Sequence, residues 1–223
     1  MKIFNTNNSN PPKLAVDAVL FAVEKDELKV LMIEINNGPY KNKWALPGGL
    51  VAFDESLDNA AKRVLFQKTN IEDIHLEQLY TFGEIDRDIR GRSVSVAYFA
   101  LVNDTAKYNL KTTSYYIKIS WQPVKNLPET AFDHKEIIDM AYKRLISKME
   151  YSNIVYSLLP EEFTLGQLQK TYEIIKGKKI DKRNFRKRVL SIGMVEEIGR
   201  KTSGLASRPA ELFHFSERSL KSY

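Results

Sequence analysis

The chain has 223 residues and a formal net charge of +6, and 43% of its residues are apolar, which is ordinary for a folded globular protein. It contains no cysteine, which excludes a disulfide framework and a thiolate metal site. No apolar run approaches the roughly 18 residues that a membrane span needs, and the first residues, MKIFNTNNSNPPK, lack a signal-peptide pattern. We therefore expect a cytoplasmic protein with no membrane partner.

The positive charge is concentrated in the last third of the chain. Residues 151–223 contain 14 Lys and Arg against 8 Asp and Glu, whereas residues 1–150 contain 20 of each. A basic surface without a specific partner would spread its charge, so this asymmetry favours a polyanionic partner for the C-terminal part. Lysine-rich solvated helices produce a similar excess, and charge alone leaves both interpretations open.

The first 150 residues alternate between strand and helix patterns. β-Branched residues with a period of two predict strands at residues 14–23, 28–35, 75–85, 93–102 and 115–124. A helix of about four turns is predicted after the Gly48-Gly49 pair, and a second over residues 132–149. Strands mixed with two helices indicate a sheet between helical layers in an N-terminal domain, residues 1–150.

The pattern changes after residue 150. Residues 152–163 (SNIVYSLLPEEF) are predicted as a linker broken by Pro160. A helix capped by Thr164 and ended by Gly177 follows, and then a second helix between Asp181 and Gly193. Two short strands around a Gly/Ser/Arg-rich loop complete the chain. This order predicts a winged helix-turn-helix domain over residues 151–223 and an α+β protein as a whole.

Residues 48–70 (GGLVAFDESLDNAAKRVLFQKTN) carry the most specific pattern of the first domain. Apolar residues at helical spacing predict one face packed on a sheet. The segment resembles the Nudix box, with matches at Gly49, Glu55, Arg63, Leu65 and Ile71. It departs from the box at Val64, Gln67, Lys68 and Asn70, where the pattern has Glu, Glu, Glu and Gly. The resemblance extends over about residues 12–145 and implies a Nudix α/β/α sandwich.

The resemblance implies that these departures remove the acidic metal ligands that Nudix hydrolysis needs. Several carboxylates on one helix face hold Mg²⁺ or Mn²⁺ against a diphosphate, and Glu55 alone does not replace them. We therefore expect no catalytic residue, no metal site, no cofactor and no enzymatic activity. A structural role for Glu55 and Arg63, in which their salt bridge holds the loop, is favoured over a catalytic one. The alternative function is an ADP-ribose-like nucleotide-diphosphate hydrolase with an appended nucleic-acid-binding domain.

A charged segment between two apolar strands, residues 83–101, resembles a stretch typical of ADP-ribose pyrophosphatase-like Nudix domains and their regulatory relatives. Arginine suits phosphate and vicinal hydroxyls, and Asp/Arg pairs suit sugars. A solvated hairpin with internal ion pairs is the competing interpretation of this segment. Trp44, before the Gly-Gly turn, could stack on a sugar or base, and an ordinary packed aromatic is the alternative. Asp133 is interpreted as a helix cap and the lone His134 as non-catalytic. The candidate effector-binding residues are Trp44, Glu84, Asp86, Arg87, Asp88, Arg92 and Tyr98.

The second helix of the C-terminal domain has five basic residues within seven positions, 182–188. Phe185, Val189 and Ile192 share one face, which leaves the opposite face cationic, as in a recognition helix that meets base edges and phosphates. Asn184 either pairs with adenine or serves the helix cap. A basic accessory domain that binds another protein is the alternative. The candidate DNA-binding residues are Lys182, Arg183, Asn184, Arg186, Lys187, Arg200, Lys201, Thr202, Ser203 and Arg208.

A Nudix-like domain followed by a winged helix, with KIDKRNFRKRV in the second helix and residues 208–213 (RPAELF) in the last strand, resembles the Nudix-related transcriptional regulators. The resemblance implies a DNA-binding homodimer on a palindromic double-stranded operator, with a small-molecule effector in the Nudix domain. The effectors of the family are ADP-ribose in one branch and an arabinose-like pentose in another. The FGEIDRD and KIDKRNFRKRV stretches look nearer to the arabinose-responsive branch.

Overall fold

A mixed sheet of seven strands forms the centre of the N-terminal domain. The structure is a computed structural model, and it describes residues 11–103, 105, 108, 110, 116–202 and 209–223. Strand β1 pairs in parallel with β6, and the remaining pairs are antiparallel, in the order β3-β2-β1-β6-β5 with β4 beside β1 and β7 beside β2. The strands are β1 (Lys13–Glu24), β2 (Glu27–Ile35), β3 (Trp44–Ala45), β4 (Gly48–Leu50), β5 (Glu77–Phe82), β6 (Ser93–Val102) and β7 (Tyr116–Pro123).

The two faces of β1 separate the two helical layers. Its even-numbered residues, such as Val16 and Leu20, lie in clusters with the apolar face of α1 (Leu57–Thr69). Its odd-numbered residues, such as Val19 and Phe21, lie in the cluster that includes α2 (His134–Tyr151). Because successive strand side chains point to opposite faces, one strand organises both sides of the sandwich. The predicted Nudix-like layers are confirmed.

The C-terminal domain is the predicted winged helix. It contains α3 (Leu165–Lys176), α4 (Lys182–Ser191) and a three-stranded sheet in the order β8-β10-β9. Its strands are β8 (Phe163–Thr164), β9 (Val195–Lys201) and β10 (Glu211–Phe215). Thr164 and Gln167 form a capping box at the start of α3, and Gly177 ends it with a φ of 64°. None of the helices in the described part of the chain is long and apolar enough to cross a membrane.

The predicted linker does not separate two independent cores. Residues Ile154–Leu158 form a 3₁₀ turn, and Ile154 and Val155 are buried in the same cluster as α2 and α3. Asn153 is fully buried and binds the carbonyl oxygens of Glu217 and Ser219 at 2.8 and 3.0 Å. The linker prediction is wrong in this respect, because the apolar residues that follow residue 152 supply core rather than a solvated spacer.

The shared core predicts cooperative loss of both domains when it is perturbed. Phe163 is fully buried and packs on Phe215 with ring centroids 4.7 Å apart. Phe163→Ala is expected to lower the free energy of unfolding by about 3–5 kcal/mol in a single urea transition. The control Phe53→Ala removes a fully exposed ring and is expected to change stability by less than about 0.5 kcal/mol. Unfolding of the winged helix in a separate, earlier transition would contradict the shared core.

Candidate effector cavity and nucleic-acid interface

A cavity with a volume of about 580 Å³ opens beside β1, β4 and the start of α2. Arg87, Asp88 and Arg92 of the predicted effector residues line it. The sequence prediction missed several other lining residues, namely Lys13, Asp17, Tyr40, Lys68, Arg90, Phe132 and His134. A smaller cavity of about 250 Å³ lies between the end of β6 and the 3₁₀ turn after α2.

Arg87 is held in a buried ionic cluster at the cavity. Its Nε and Nη2 donate to the two carboxylate oxygens of Asp133 at 2.8 and 2.7 Å, and its Nη1 donates to Ser93 Oγ at 3.1 Å. Asp17 Oδ2 lies 3.7 Å from Nη2. Only 4% of the Arg87 side chain is exposed, so the planar guanidinium is fixed in one orientation.

Asp133 has a different role from the predicted helix cap. It stands at the N-terminus of α2, but its side chain makes no capping hydrogen bond, because both oxygens accept from Arg87. This carboxylate attaches the start of α2 to the loop before β6. The partners are 46 residues apart in sequence, so helix-capping rules could not have found the pair.

His134 is a buried neutral imidazole. Its Nδ1 accepts from the Leu46 backbone N–H at 2.8 Å, which places the ring proton on Nε2, 3.4 Å from Asp17 Oδ1. The other Asp17 oxygen accepts from Ser95 Oγ at 2.5 Å. A Cβ on Gly48 would lie 1.9 Å from Asp17 Oδ1, so the first glycine of the Gly-Gly pair leaves room for this network.

Burial lowers the pKa of His134, because desolvation disfavours the imidazolium. Asp17 and Asp133 oppose this shift by attraction, Arg87 adds to it by repulsion, and Asp88 opposes it. The geometry assigns the ring a positioning role between the Leu46 backbone and the Asp17 carboxylate.

An aromatic and ionic rim surrounds the cavity opening. The Arg90 guanidinium pairs with Asp88 at 2.8 Å and lies 4.8 Å from the centre of the Phe132 ring. Tyr40 packs on Phe132 with ring centroids 4.2 Å apart, and its hydroxyl accepts from the Ile89 N–H at 3.0 Å. The ion pairs of the charged loop are therefore internal to the protein, and the same residues line the cavity.

Four predicted effector residues do not line the cavity. Trp44 packs against the main core, as the packed-aromatic alternative proposed, and Asp86 is exposed. Glu84 contributes its backbone carbonyl, which accepts from Arg92 at 2.9 Å. The Tyr98 side chain is buried on the α1 side, where its hydroxyl donates to Asp58 at 2.6 Å and burial raises its pKa. The strand register turns Tyr98 away from the cavity, and sequence alone did not show this.

The Nudix-box residues Glu55 and Arg63 hold the loop before α1. Glu55 accepts from the Ala52 N–H at 2.6 Å and from Arg63 Nε at 2.8 Å, and Arg63 also donates to the Leu50 carbonyl at 3.0 Å. The hydrogen bond from Arg63 lowers the pKa of Glu55 to about 2. Val64 is buried near Gly49, where an added Cβ would meet it at 3.1 Å. These contacts fit the loop-holding role favoured from the sequence.

The predicted recognition helix presents a cationic face. Phe185 and Val189 of α4 are buried, at 5% and 2% exposure, and anchor the helix to the domain. The Asp181 side chain accepts from the Asn184 backbone N–H at 2.8 Å, so the Asn184 side chain is not the cap. No ion pair within the described part of the chain neutralises the exposed cations of this face, which are Lys182, Arg183, Arg186 and Lys187.

The predicted wing is described only at its base. Arg200 pairs with Glu162, and Lys201 with Glu211 at 2.9 Å. The Thr202 N–H donates to the Ala210 carbonyl at 2.9 Å, and its hydroxyl accepts from the Ala210 N–H at 3.0 Å. Ser203 and Arg208 lie outside the described residues. The base of the wing thus holds its cations in ion pairs, unlike α4.

Glu150, in the last turn of α2, connects the two domains. Its Oε1 lies 2.5 Å from Lys176 at the end of α3, and its Oε2 lies 3.3 Å from Arg188 in α4. Arg188 also donates to the Glu150 backbone carbonyl. The hydrogen bond from Lys176 is the main reason why the pKa of Glu150 is lowered, and Arg188 adds to it. Helix α2 therefore lines the cavity at one end and contacts α4 at the other.

Comparison with known proteins agrees with this two-domain arrangement. Residues 11–141 match the NUDIX domain, and residues 155–215 match the NrtR DNA-binding winged helix domain. The ADPR-responsive transcriptional repressor NtrR of Acinetobacter baylyi is 39% identical over 209 residues, which are 92% of this chain and 82% of that protein. The chain belongs to the NrtR family.

Solved structures extend the likeness to both domains. Shewanella oneidensis NrtR in complex with a 27mer DNA is 37% identical with a TM-score of 0.77, covering 91% of this chain and 93% of that one. The NUDIX domain of the same NrtR in complex with ADP ribose is 37% identical with a TM-score of 0.56, covering 61% of this chain and 90% of that one. An ADP-ribose pyrophosphatase of Methanocaldococcus jannaschii is 33% identical over 127 residues, 57% of this chain and 71% of that protein. These relatives do not support the predicted nearness to the arabinose-responsive branch.

The neutral state of His134 predicts a specific pH dependence of stability. Because its folded pKa lies below the ordinary value of 6.5, the unfolded chain binds the proton more readily, and stability falls as pH drops below about 6.5. His134→Asn is expected to reduce the loss of urea stability between neutral and mildly acidic pH. The matched control His75→Asn changes an exposed histidine and should keep the wild-type slope. An unchanged slope in the His134 variant would contradict the assignment.

Proposed function

We propose that this protein is a transcriptional repressor that binds operator DNA through α4 and the wing and is released from it by ADP-ribose. One observation carries the proposal: a single chain joins an arginine-lined Nudix cavity to a recognition helix with an unneutralised cationic face. The NrtR relatives support it, since one is a repressor responsive to ADP-ribose and another has been crystallised with DNA.

The DNA-binding surface is the exposed face of α4. Lys182, Arg183, Arg186 and Lys187 carry charge that the protein itself leaves unpaired over the described residues, as phosphate contacts and guanine readout require. The Asn184 side chain is exposed and free of the capping role, which favours the adenine contact. Arg188 lies outside this surface, because Glu150 holds it against α2.

The cavity suits ADP-ribose in size and chemistry. A volume of about 580 Å³ is within the range of about 300–1,000 Å³ that small-molecule sites occupy. Arg92 and Lys13 supply cations for the diphosphate, and the packed pair Tyr40 and Phe132 gives the cavity an aromatic wall beside them. The NUDIX domain of Shewanella oneidensis NrtR, which has been crystallised with ADP ribose, supports this effector.

The repressor acts as a homodimer on a palindromic operator. Two copies of α4 related by a two-fold axis meet successive major grooves about one helical turn apart. Large exposed apolar side chains of the Nudix domain, including Ile85 and Ile89, support self-association through that domain.

The Nudix domain binds its effector and does not hydrolyse it. Val64, Gln67 and Lys68 replace acidic positions of the box, and Glu55 is engaged by Arg63 and the Ala52 N–H. Magnesium-dependent turnover of ADP-ribose would contradict this statement and support the hydrolase alternative.

The decisive experiment measures fluorescence anisotropy of labelled DNA from the protein's own upstream region. The protein is expected to bind this DNA in preference to an unrelated duplex, and ADP-ribose, but not arabinose, is expected to release it. Sequence-blind binding that ADP-ribose leaves unchanged would overturn the proposed function.

Arg183→Ala with Arg186→Ala is expected to weaken operator binding by at least about tenfold, because each contact to a base or phosphate contributes about 1–3 kcal/mol. Calorimetric binding of ADP-ribose should remain at the wild-type value. The control Lys135→Ala with Lys143→Ala removes two exposed cations of α2 and should leave operator affinity within about threefold. Loss of both activities in the arginine variant would indicate misfolding rather than a lost DNA contact.

Glu150→Gln tests whether α2 couples the two sites. Without the carboxylate, Lys176 and Arg188 lose their ionic partner on α2. The ratio of operator affinities without and with ADP-ribose is expected to shrink, since allosteric coupling is typically about 1–3 kcal/mol. Glu161→Gln, an exposed glutamate near α3, is the matched control and should keep the wild-type ratio. An unchanged ratio in the Glu150 variant would exclude this contact as the coupling element.

A further inference from the structure

Lys68 lines the effector cavity from the last turn of α1, at a position where the Nudix box has a glutamate. We propose that the Lys68 ammonium takes the place of the divalent cation and binds the diphosphate of the effector directly, so that effector recognition needs no metal ion. This inference rests on the proposed function, because it names how the same cavity recognises an ADP-ribose-like diphosphate.

The side chains around α1 do not fit a divalent cation. Within the described part of the chain, no group of three or more His, Cys, Asp or Glu residues is arranged to hold a metal ion. Glu55, the acidic residue that the box retains, already accepts hydrogen bonds from Arg63 and the Ala52 N–H. Val64 is buried and apolar, and an ammonium at position 68 repels a cation. The donor set is therefore that of an anion site.

Lys68 keeps its charge available to a ligand. Its Nζ lies 4.8 Å from the centre of the Tyr116 ring, a cation–π contact that orients the ammonium without neutralising it. No carboxylate in the described ranges lies within ion-pair distance of it, in contrast to Arg87 with Asp133 and Arg90 with Asp88.

The cavity therefore contains two kinds of cation. Arg87 and Arg90 are neutralised by carboxylates and shape the wall. Lys13, Lys68 and Arg92 form no ion pair with a described carboxylate, and Arg92 donates to the uncharged carbonyls of Glu84 and Ser93. An unpaired lysine is a compact point charge with three donors, which suits a diphosphate in the same way as a metal ion but with no dependence on metal supply.

Isothermal titration of the full-length protein with ADP-ribose tests the inference, in EDTA and in excess Mg²⁺. The wild type is expected to bind equally well in both buffers. Lys68→Ala is expected to bind about tenfold or more weakly in both, because it loses a charged hydrogen bond. Lys68→Arg should retain most of the affinity. Lys62→Ala removes an exposed lysine of the same helix that does not line the cavity and should match the wild type.

The titrations distinguish failure of the Lys68 inference from failure of the proposed function. Wild-type affinity in Lys68→Ala, or wild-type binding that is lost in EDTA, would overturn the inference and leave the proposed function standing. Absence of ADP-ribose binding by the wild type would overturn both. A thermal melt of each variant, with Lys62→Ala as reference, separates a weakened site from a folding defect.

Discussion

The buried ion pair between Arg87 and Asp133 is the interaction on which the cavity and its connection to the second domain depend. Both side chains are nearly inaccessible, and the bidentate geometry fixes the loop before β6 against Asp133, the residue that precedes α2. Loss of one partner of such a pair leaves a buried charge and costs about 3–5 kcal/mol in other proteins. His134, next along the chain, is fixed by the same attachment and positions Asp17 and the Leu46 backbone.

Helix α2 extends from this attachment to the second domain. It has 18 residues, a length of about 27 Å at 1.5 Å per residue. Its first turn forms the cavity wall, and its last turn contacts α3 and α4 through Glu150. The core on this side is continuous from the sheet through the 3₁₀ turn to the winged helix. Helix α2 is therefore a continuous element between the cavity and α4.

The Nudix-box segment keeps residues with a structural role and differs from the box pattern at Val64, Gln67, Lys68 and Asn70. Glu55 and Arg63 still hold the entry loop, and the apolar stripe of α1 still packs on β1. Val64 extends this stripe, and Lys68 presents an ammonium to the cavity. The described contacts of the loop and of α1 involve these retained residues, so the local fold does not depend on acidic side chains at positions 64, 67 and 68.

Residue periodicity and capping residues were enough to predict the strands and helix starts that short-range interactions determine. The strand predicted at residues 93–102 is β6, and the caps Thr164 and Asp181 begin α3 and α4, because period and capping act over a few residues. The cavity was only partly predictable. The charged segment predicts Arg87, but the sequence assigns Asp133 to a helix cap and Tyr98 to the effector, whereas Asp133 binds Arg87 and Tyr98 binds Asp58. The direction in which a strand residue points depends on register with distant strands.

The amino-acid sequence by itself determined two domains, a core stripe on α1, a cationic face on α4 and the presence of Val, Gln and Lys at three glutamate positions of the box pattern. These properties depend on residue type and short-range spacing. The tertiary structure alone decided which charges are used internally: Arg87 by Asp133, Arg188 by Glu150, and the wing cations by Glu162 and Glu211. These partners are far apart in sequence, and they meet only because the helices and strands that carry them pack together. This packing leaves Lys68 and the outer face of α4 with charge to offer a partner.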